Sequence, residues 1–344
     1  MNPYVLFIII SSLTLGTITA LSSSHWILAW ISLEINTLAI IPLMTKNPHP
    51  RSIEAATKYF LMQATASALI LFSCTSNAWL LGEWTINNLT NPTSMILMTT
   101  AILTKLGLAP FHFWMPEVLQ GLALQTGWIL STWQKLAPLA ILLQLSQSMN
   151  LTLTLAVGLL SILIGGWGGI NQNQARKILA FSSIAHFGWM ITILMVSPQL
   201  SLLNFILYVI MSSTLFYTFI ITNSTNISQL TMTWTKIPTL TALSLLSLLS
   251  LSGLPPLTGF LPKWLIAQEL IKQDLTATSF LLLMFTLFSL FFYLRLTYTI
   301  ALTMAPNSTL STSFWPLKKK NNLTFLIILT LCLLPISPSI SCPI

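Results

Sequence analysis

The amino-acid sequence predicts an all-α integral membrane protein of about eleven transmembrane helices, arranged as two inverted five-helix repeats that each contain a discontinuous helix. Three observations predict it. The 344 residues are 54% hydrophobic and 6% charged, with a mean hydropathy of +0.82, whereas soluble domains are charged at about a quarter of their positions. Uncharged runs of about 20 residues, enough to cross a hydrocarbon core of about 30 Å, recur from end to end. A Gly-Leu-x-Pro signal also occurs twice, in segments that run in opposite directions.

In chain order the spans fall at approximately 3–22, 26–44, 60–81, 93–115, 122–145, 151–170, 178–196, 201–222, 238–262, 276–303 and 322–342. The first has no basic leader or small-residue cleavage site and reads as a membrane helix, not a signal peptide. The connections are too short for a soluble domain, so residues 1–344 read as a single membrane domain. Within it, approximately 1–146 form the first repeat, approximately 147–305 the second, and approximately 306–344 a loop and the last helix.

The net charge of +8 is distributed by side of the membrane. If the spans alternate, one side holds Lys46, Arg51, Lys58, Arg176, Lys177, Lys236, Lys318, Lys319 and Lys320, and the other holds Lys272. This is the positive-inside pattern, and it places the N-terminus in the negative compartment. Spread over four loops, the charge is topological and makes no patch for nucleic acid.

Four basic residues fall within or at the edge of spans: Lys105, Lys135, Lys263 and Arg295. At 1.5 Å per residue, Lys105 and Lys135 lie about 15 Å from the nearer boundary, too far for a lysine stem to reach the headgroups. Arg295 lies nearer its span's end, where such snorkelling remains open. Glu34 is the only acid at membrane depth. A mid-membrane charge costs at least about 2.5–3.5 kcal/mol, so such groups face a partner or a water-filled path. Glu34 and a buried lysine are expected partners, either as a structural ion pair or as a working one. A lysine in a low dielectric keeps or releases its proton according to whether a carboxylate stands beside it. Making and breaking that contact is worth on the order of 4 kcal/mol, close to the cost of moving one charge against roughly 180 mV.

The duplicated signal reads "GLAPFHFWMP" at 107–116 and "GLPPLTGFLP" at 253–262, an offset of 146 residues. Proline removes an N–H and clashes with the preceding turn, while glycine permits angles that other residues resist, so both helices are expected to break there. The copies fall in spans 4 and 9, five crossings apart, and an odd number reverses their orientation. Lys105 precedes one copy and Lys263 follows the other.

Other chemistry finds no support in the text of the chain. Cys74, Cys332 and Cys342 are isolated and lack the spacing of a zinc, haem or iron-sulfur site, so neither a metal nor a disulfide framework is expected. There is no phosphate-binding GxxxxGK[ST] loop and no dinucleotide fingerprint. "GGWGGINQNQ" at 165–174 reads as close helix packing followed by a turn. Energy for any transport must come from a partner or from an ion gradient.

"LTKLGLAPFHFWMPEVLQGL", "KILAFSSIAHFGWM" and "LSGLPPLTGFLPKW" resemble the antiporter-like, proton-pumping subunits of respiratory complex I, and the "MNP" start and composition resemble the vertebrate mitochondrial type. The resemblance covers essentially the whole chain. Family members usually have fourteen helices, and this chain lacks the three leading ones. The resemblance implies proton-transfer roles for Glu34, Lys105, Lys135 and Lys263, and, with a packing role equally open, for His186; His112 carries a weaker signal. It implies a multi-pass location in the mitochondrial inner membrane with the basic loops in the matrix. No cofactor is expected in this chain: flavin, iron-sulfur clusters and ubiquinone belong to partner subunits. The implied partners are other complex I membrane subunits, accessory subunits and membrane lipid such as cardiolipin. A stand-alone cation/proton antiporter and a purely structural membrane subunit are the alternatives.

Overall fold

A computed structural model describes residues 2–46, 48–86, 88–302 and 326–331. Among these the regular structure is helical, with two isolated bridges and no strand. The chain divides after Ser161 into two compact units.

The first unit opens with α1 (Pro3–Ser22), α2 (Trp26–Met44) and α3 (Pro50–Leu81). Pro3 and Pro50 stand in the first turn of their helices, where the missing N–H costs nothing. At 32 residues α3 is about 48 Å long, so its first ten residues project beyond a core of about 30 Å. Next come α4 (Pro92–Leu106), α5 (Trp114–Gly121), α6 (Leu124–Thr132) and α7 (Leu136–Gln144), the last two joined by a 3₁₀ turn at Trp133–Lys135. The helix α8 (Leu151–Ile170) runs into the second unit, which continues with α9 (Ala175–Leu194), α10 (Pro198–Thr222), the short α11 (Ile227–Thr231) and α12 (Thr233–Lys236), α13 (Pro238–Ser252), α14 (Phe260–Lys272) and α15 (Thr276–Leu302).

Seven helices among the described residues are long and apolar enough to cross a bilayer unaided: α1, α2, α3, α8, α9, α10 and α15. The other described spans are each divided in two: α4 with α5, α6 with α7, and α13 with α14. The expected span at 322–342 lies outside the described residues except for 326–331, and so do Cys332 and Cys342. The interruption between α6 and α7 is a correction to the continuous helix expected over 122–145. Pro138 has no N–H for the Gln134 carbonyl, and the chain tightens into a 3₁₀ turn over Trp133–Lys135, in the turn that precedes it.

Loop pairing agrees with alternating crossings. Trp26 N–H donates to the Trp84 carbonyl and Ile86 N–H to that of Ser24, so the links after α1 and α3 share a side. Ala175 N–H donates to Thr225 and Ile227 N–H to Asn173, which joins the links after α8 and α10. Lys58 and Glu117, the ends of adjacent expected spans, meet at 2.7 Å.

The glycines of "GGWGG" pack in two directions. A Cβ on Gly165 or Gly168 would strike Ala185 or Phe181 of α9, and one on Gly166 or Gly169 would strike Phe288 or Phe292 of α15. Trp167 between them is 67% exposed, as a lipid-facing side chain can be. Arg295 does not snorkel: it donates to the Ile170 carbonyl at the end of α8.

Candidate functional site

Both Gly-Leu-x-Pro copies are true interruptions. Gly107 ends α4 at φ +75° and Gly253 ends α13 at φ +83°, in the left-handed region where glycine is least strained. In each copy the chain then turns for several residues before the next helix starts, at Trp114 or Phe260. A helix that stops inside the bilayer leaves unpaired carbonyls and the negative end of its dipole there, a setting that favours a cation.

In the first unit that cation is Lys105, in the last turn of α4 and 5% exposed. Its Nζ has no hydrogen-bond partner among the described residues. Lys135, in the 3₁₀ turn and 3% exposed, lines the same cavity of ≈ 20 Å³, together with Asn36, Thr37, Gln63 and Gln134. The polar walls are tied down: Gln63 donates to the Lys105 carbonyl at 3.4 Å and Gln134 to the Asn36 carbonyl at 3.0 Å. The end of α4 is closed by Trp114, whose Nε1 donates to the Thr104 carbonyl at 3.2 Å.

Glu34 forms no ion pair with Lys105 within 4 Å, contrary to the direct contact expected. The reason is helical register. Leu33, Asn36 and Thr37 share the cavity-facing side of α2, and Glu34 lies about 100° round from Leu33, on the flank. It is half-buried, and its Oε2 has no hydrogen-bond partner among the described residues.

In the second unit Lys263 lies one turn into α14, and its Nζ reaches back to the Ser252 carbonyl at 2.7 Å, across the interruption. A Cβ on Gly253 would meet that Nζ at 2.8 Å, so the glycine serves both the backbone angle and the lysine's path. Lys263 and His186 line one cavity of ≈ 10 Å³ with Trp189, Ser289 and Tyr293, and His186 packs on Tyr208 with ring centroids 5.5 Å apart. His112 lies in the first interruption, its Nδ1 at 3.2 Å from the Pro110 carbonyl, and lines neither cavity.

The structure thus brings Lys105 to Lys135 and Lys263 to His186, and leaves Glu34 beside the first pair. The sequence reading missed Asn36, Gln63 and Gln134. Their signal was polarity at membrane depth, which the charge inventory passed over.

Interrupted helices in long apolar spans, with a buried or half-buried lysine at each break, define an ion-handling, multi-pass membrane protein. Residues 23–292 match the family described as NADH:quinone oxidoreductase/Mrp antiporter, and residues 290–341 match one described as NADH dehydrogenase subunit 2 C-terminus. Proteins named NADH-ubiquinone oxidoreductase chain 2 from Salmo salar and Xenopus laevis are 57% and 59% identical, over 99% and 98% of this chain and 99% of theirs. Among solved structures, a chain of respiratory complex I from Thermus thermophilus with bound aureothin superposes at a TM-score of 0.87 and 25% identity, over 100% of this chain and 80% of that one. A chain of the Mrp complex from Dietzia sp. DQ12-45-1b shares the fold at a TM-score of 0.83 and 16% identity, over 96% and 75%. The chain belongs to the NADH:quinone oxidoreductase/Mrp antiporter family of membrane subunits.

Proposed function

We propose that this chain is a core membrane subunit of respiratory complex I that moves protons across the membrane, coupled to NADH oxidation and ubiquinone reduction in other subunits. The observation that carries this reading is the pair Lys105 and Lys135, buried at bilayer depth and lining one cavity, in a chain whose full-length relatives bear the name of that enzyme. The protein is a subunit of an oxidoreductase, and its own residues supply charge handling, not electron transfer.

Lys105 and Lys135 are the carriers of the first unit; Lys263, with His186 beside it, is that of the second. Glu34 biases Lys105 by its charge. The two interrupted segments are read as equivalent elements of an inverted repeat, near 1–146 and 147–305, a reading supported by the matching left-handed glycines. The membrane is the mitochondrial inner membrane, with the basic loops toward the matrix. Neighbouring membrane subunits and accessory subunits cover its flanks, lipid such as cardiolipin meets the rest, and flavin, iron-sulfur clusters and quinone are held by partners.

Lys105→Arg tests the reading. A guanidinium keeps the charge and does not release its proton at accessible pH. The expected outcome is an assembled complex with reduced acid release per NADH oxidised in sealed vesicles. Normal release with assembly intact makes Lys105 a structural cation. A chain that moves protons when reconstituted alone under an ion gradient would instead be a stand-alone antiporter.

A further inference from the structure

Asn36 is a neutral amide placed among charged ones. It is 2% exposed, it lines the cavity of Lys105 and Lys135, and neither its Oδ1 nor its Nδ2 has a hydrogen-bond partner among the described residues. Its backbone carbonyl takes the hydrogen bond from Gln134, next in the chain to Lys135, so α2 at this residue is tied to the turn that carries that lysine. Its place is kept open by Gly16 of α1: a Cβ there would lie 2.4 Å from Asn36 Oδ1 and 2.9 Å from Cγ. Buried amide atoms are normally paired, and a cavity of ≈ 20 Å³ holds about one water.

We infer that the Asn36 amide, seated by Gly16, holds a water against Lys105 and so positions the proton step between Lys105 and Lys135. This rests on the reading of Lys105 as a proton carrier. Lys105 Nζ has no hydrogen-bond partner among the described residues, so its proton reaches a neutral Lys135 amine by way of a bridging group that accepts as well as donates. An amide both accepts and donates, which orients a water without taking its proton. In the step, a Lys105 N–H bond breaks as its proton joins the water, and one of the water's O–H protons forms an N–H bond on a neutral Lys135 amine. The water is regenerated, and one positive charge has moved from Lys105 to Lys135. Asn36 touches no transferred proton and is a positioning residue.

Three measurements on the assembled complex test this. A structure of the native complex at a resolution that shows waters should place an ordered water within hydrogen-bond distance of the Asn36 side chain and of Lys105; a dry amide overturns the inference whatever Lys105 does. In sealed vesicles, Asn36→Leu should lose acid release per NADH, and Asn36→Ser, whose hydroxyl still donates and accepts, should retain it. Equal loss in both assigns the effect to packing and overturns the inference. Gly16→Ala, which pushes the amide aside without touching either lysine, should reproduce the loss of Asn36→Leu; normal release in an assembled Gly16→Ala complex overturns the inference. Lys105→Met separates the two readings. If it pumps normally the carrier assignment falls, whereas if it fails while Asn36→Leu pumps normally only the role of Asn36 falls.

Discussion

The two interrupted segments share a sequence signal and a glycine in the same left-handed conformation, yet they are closed by different chemistry. At the first, a neutral indole, Trp114, donates to the end of α4, and Lys105 has no such duty. At the second, Lys263 is itself the donor that closes the end of α13. The offset of 146 shows the difference in sequence: position 263 corresponds to Glu117, which is exposed and pairs with Lys58, while position 105 corresponds to Leu251. A backbone device that occurs twice in the chain therefore has two divisions of labour. One half separates the staple from the charge, and the other combines them.

The sharpest test lies where the backbones differ in crowding. A Cβ on Gly259 would come within 1.7 Å of the Ser250 carbonyl oxygen, a clash with backbone that no rotamer relieves. Gly259→Ala should cost about 3 kcal/mol or more and reduce assembly. The equivalent position in the first break is Phe113, 70% exposed, and Phe113→Ala should stay within about 0.5 kcal/mol. Equal thermal stabilities of the two purified variant complexes would mean that the breaks are not crowded differently.

Next in size is the division of labour itself. Lys263→Met removes a charged donor from a helix end and should lower thermal stability by about 1.5–3 kcal/mol. Lys105→Met removes a buried ammonium with no hydrogen bond, so it should leave stability unchanged or raise it, since the desolvation cost of that charge disappears. Acid release should fall in both. If Lys105→Met unfolds as readily as Lys263→Met, the contrast fails.

A smaller effect is expected at the neutral staple. Trp114→Phe keeps most of the ring packing against Gly107 and loses one hydrogen bond, worth about 1 kcal/mol. Differential scanning of that variant against native complex should read a shift smaller than that of Lys263→Met.

The smallest effect concerns the surface ion pairs that hold the far end of the first break. Lys58 meets Glu54 at 2.8 Å and Glu117 at 2.7 Å, all three substantially exposed. The hydrogen bond from Lys58 holds the Glu54 carboxyl below its ordinary range, and the bonds to Glu117 and Glu54 hold the Lys58 ammonium above its own. The contribution of Glu54 is present above its unfolded pKa and lost as pH falls through its lowered folded value. That of Lys58 is present below its unfolded pKa and lost only as pH rises through its raised folded value. Glu117→Gln should therefore have its slight effect at neutral pH and low salt, and none at high salt. A large, salt-independent loss would show that this pair holds α5 in place.

Much of this molecule is legible in local text. Hydropathy over some twenty residues, the parity of basic loops and the Gly/Pro signals each depend on a short stretch of chain and on the bilayer, not on which helix lies next to which. For that reason the membrane class, the long helices, the two interruptions and the cations at depth were all readable. Pro138 carried the third interruption in the same way, but a proline beside a lysine, with no glycine to mark a stop, was read as part of a continuous helix.

Partnership is another matter. Glu34 and Lys105 are the obvious opposite charges in the text, yet α2 turns Leu33, Asn36 and Thr37 to the cavity and leaves Glu34, about 100° round from Leu33, on the flank. Lys135 joins Lys105 because the α6–α7 turn lies against α2 and α4, and Lys263 finds the Ser252 carbonyl because the turn over 253–259 brings the start of α14 back to the end of α13. The sequence by itself determined which groups lie at membrane depth and where the helices stop, since burial in lipid and backbone conformation are properties of single segments. Only the tertiary structure decided which groups face one another, because a side chain's direction counts for nothing until a neighbouring helix sets the surface it meets.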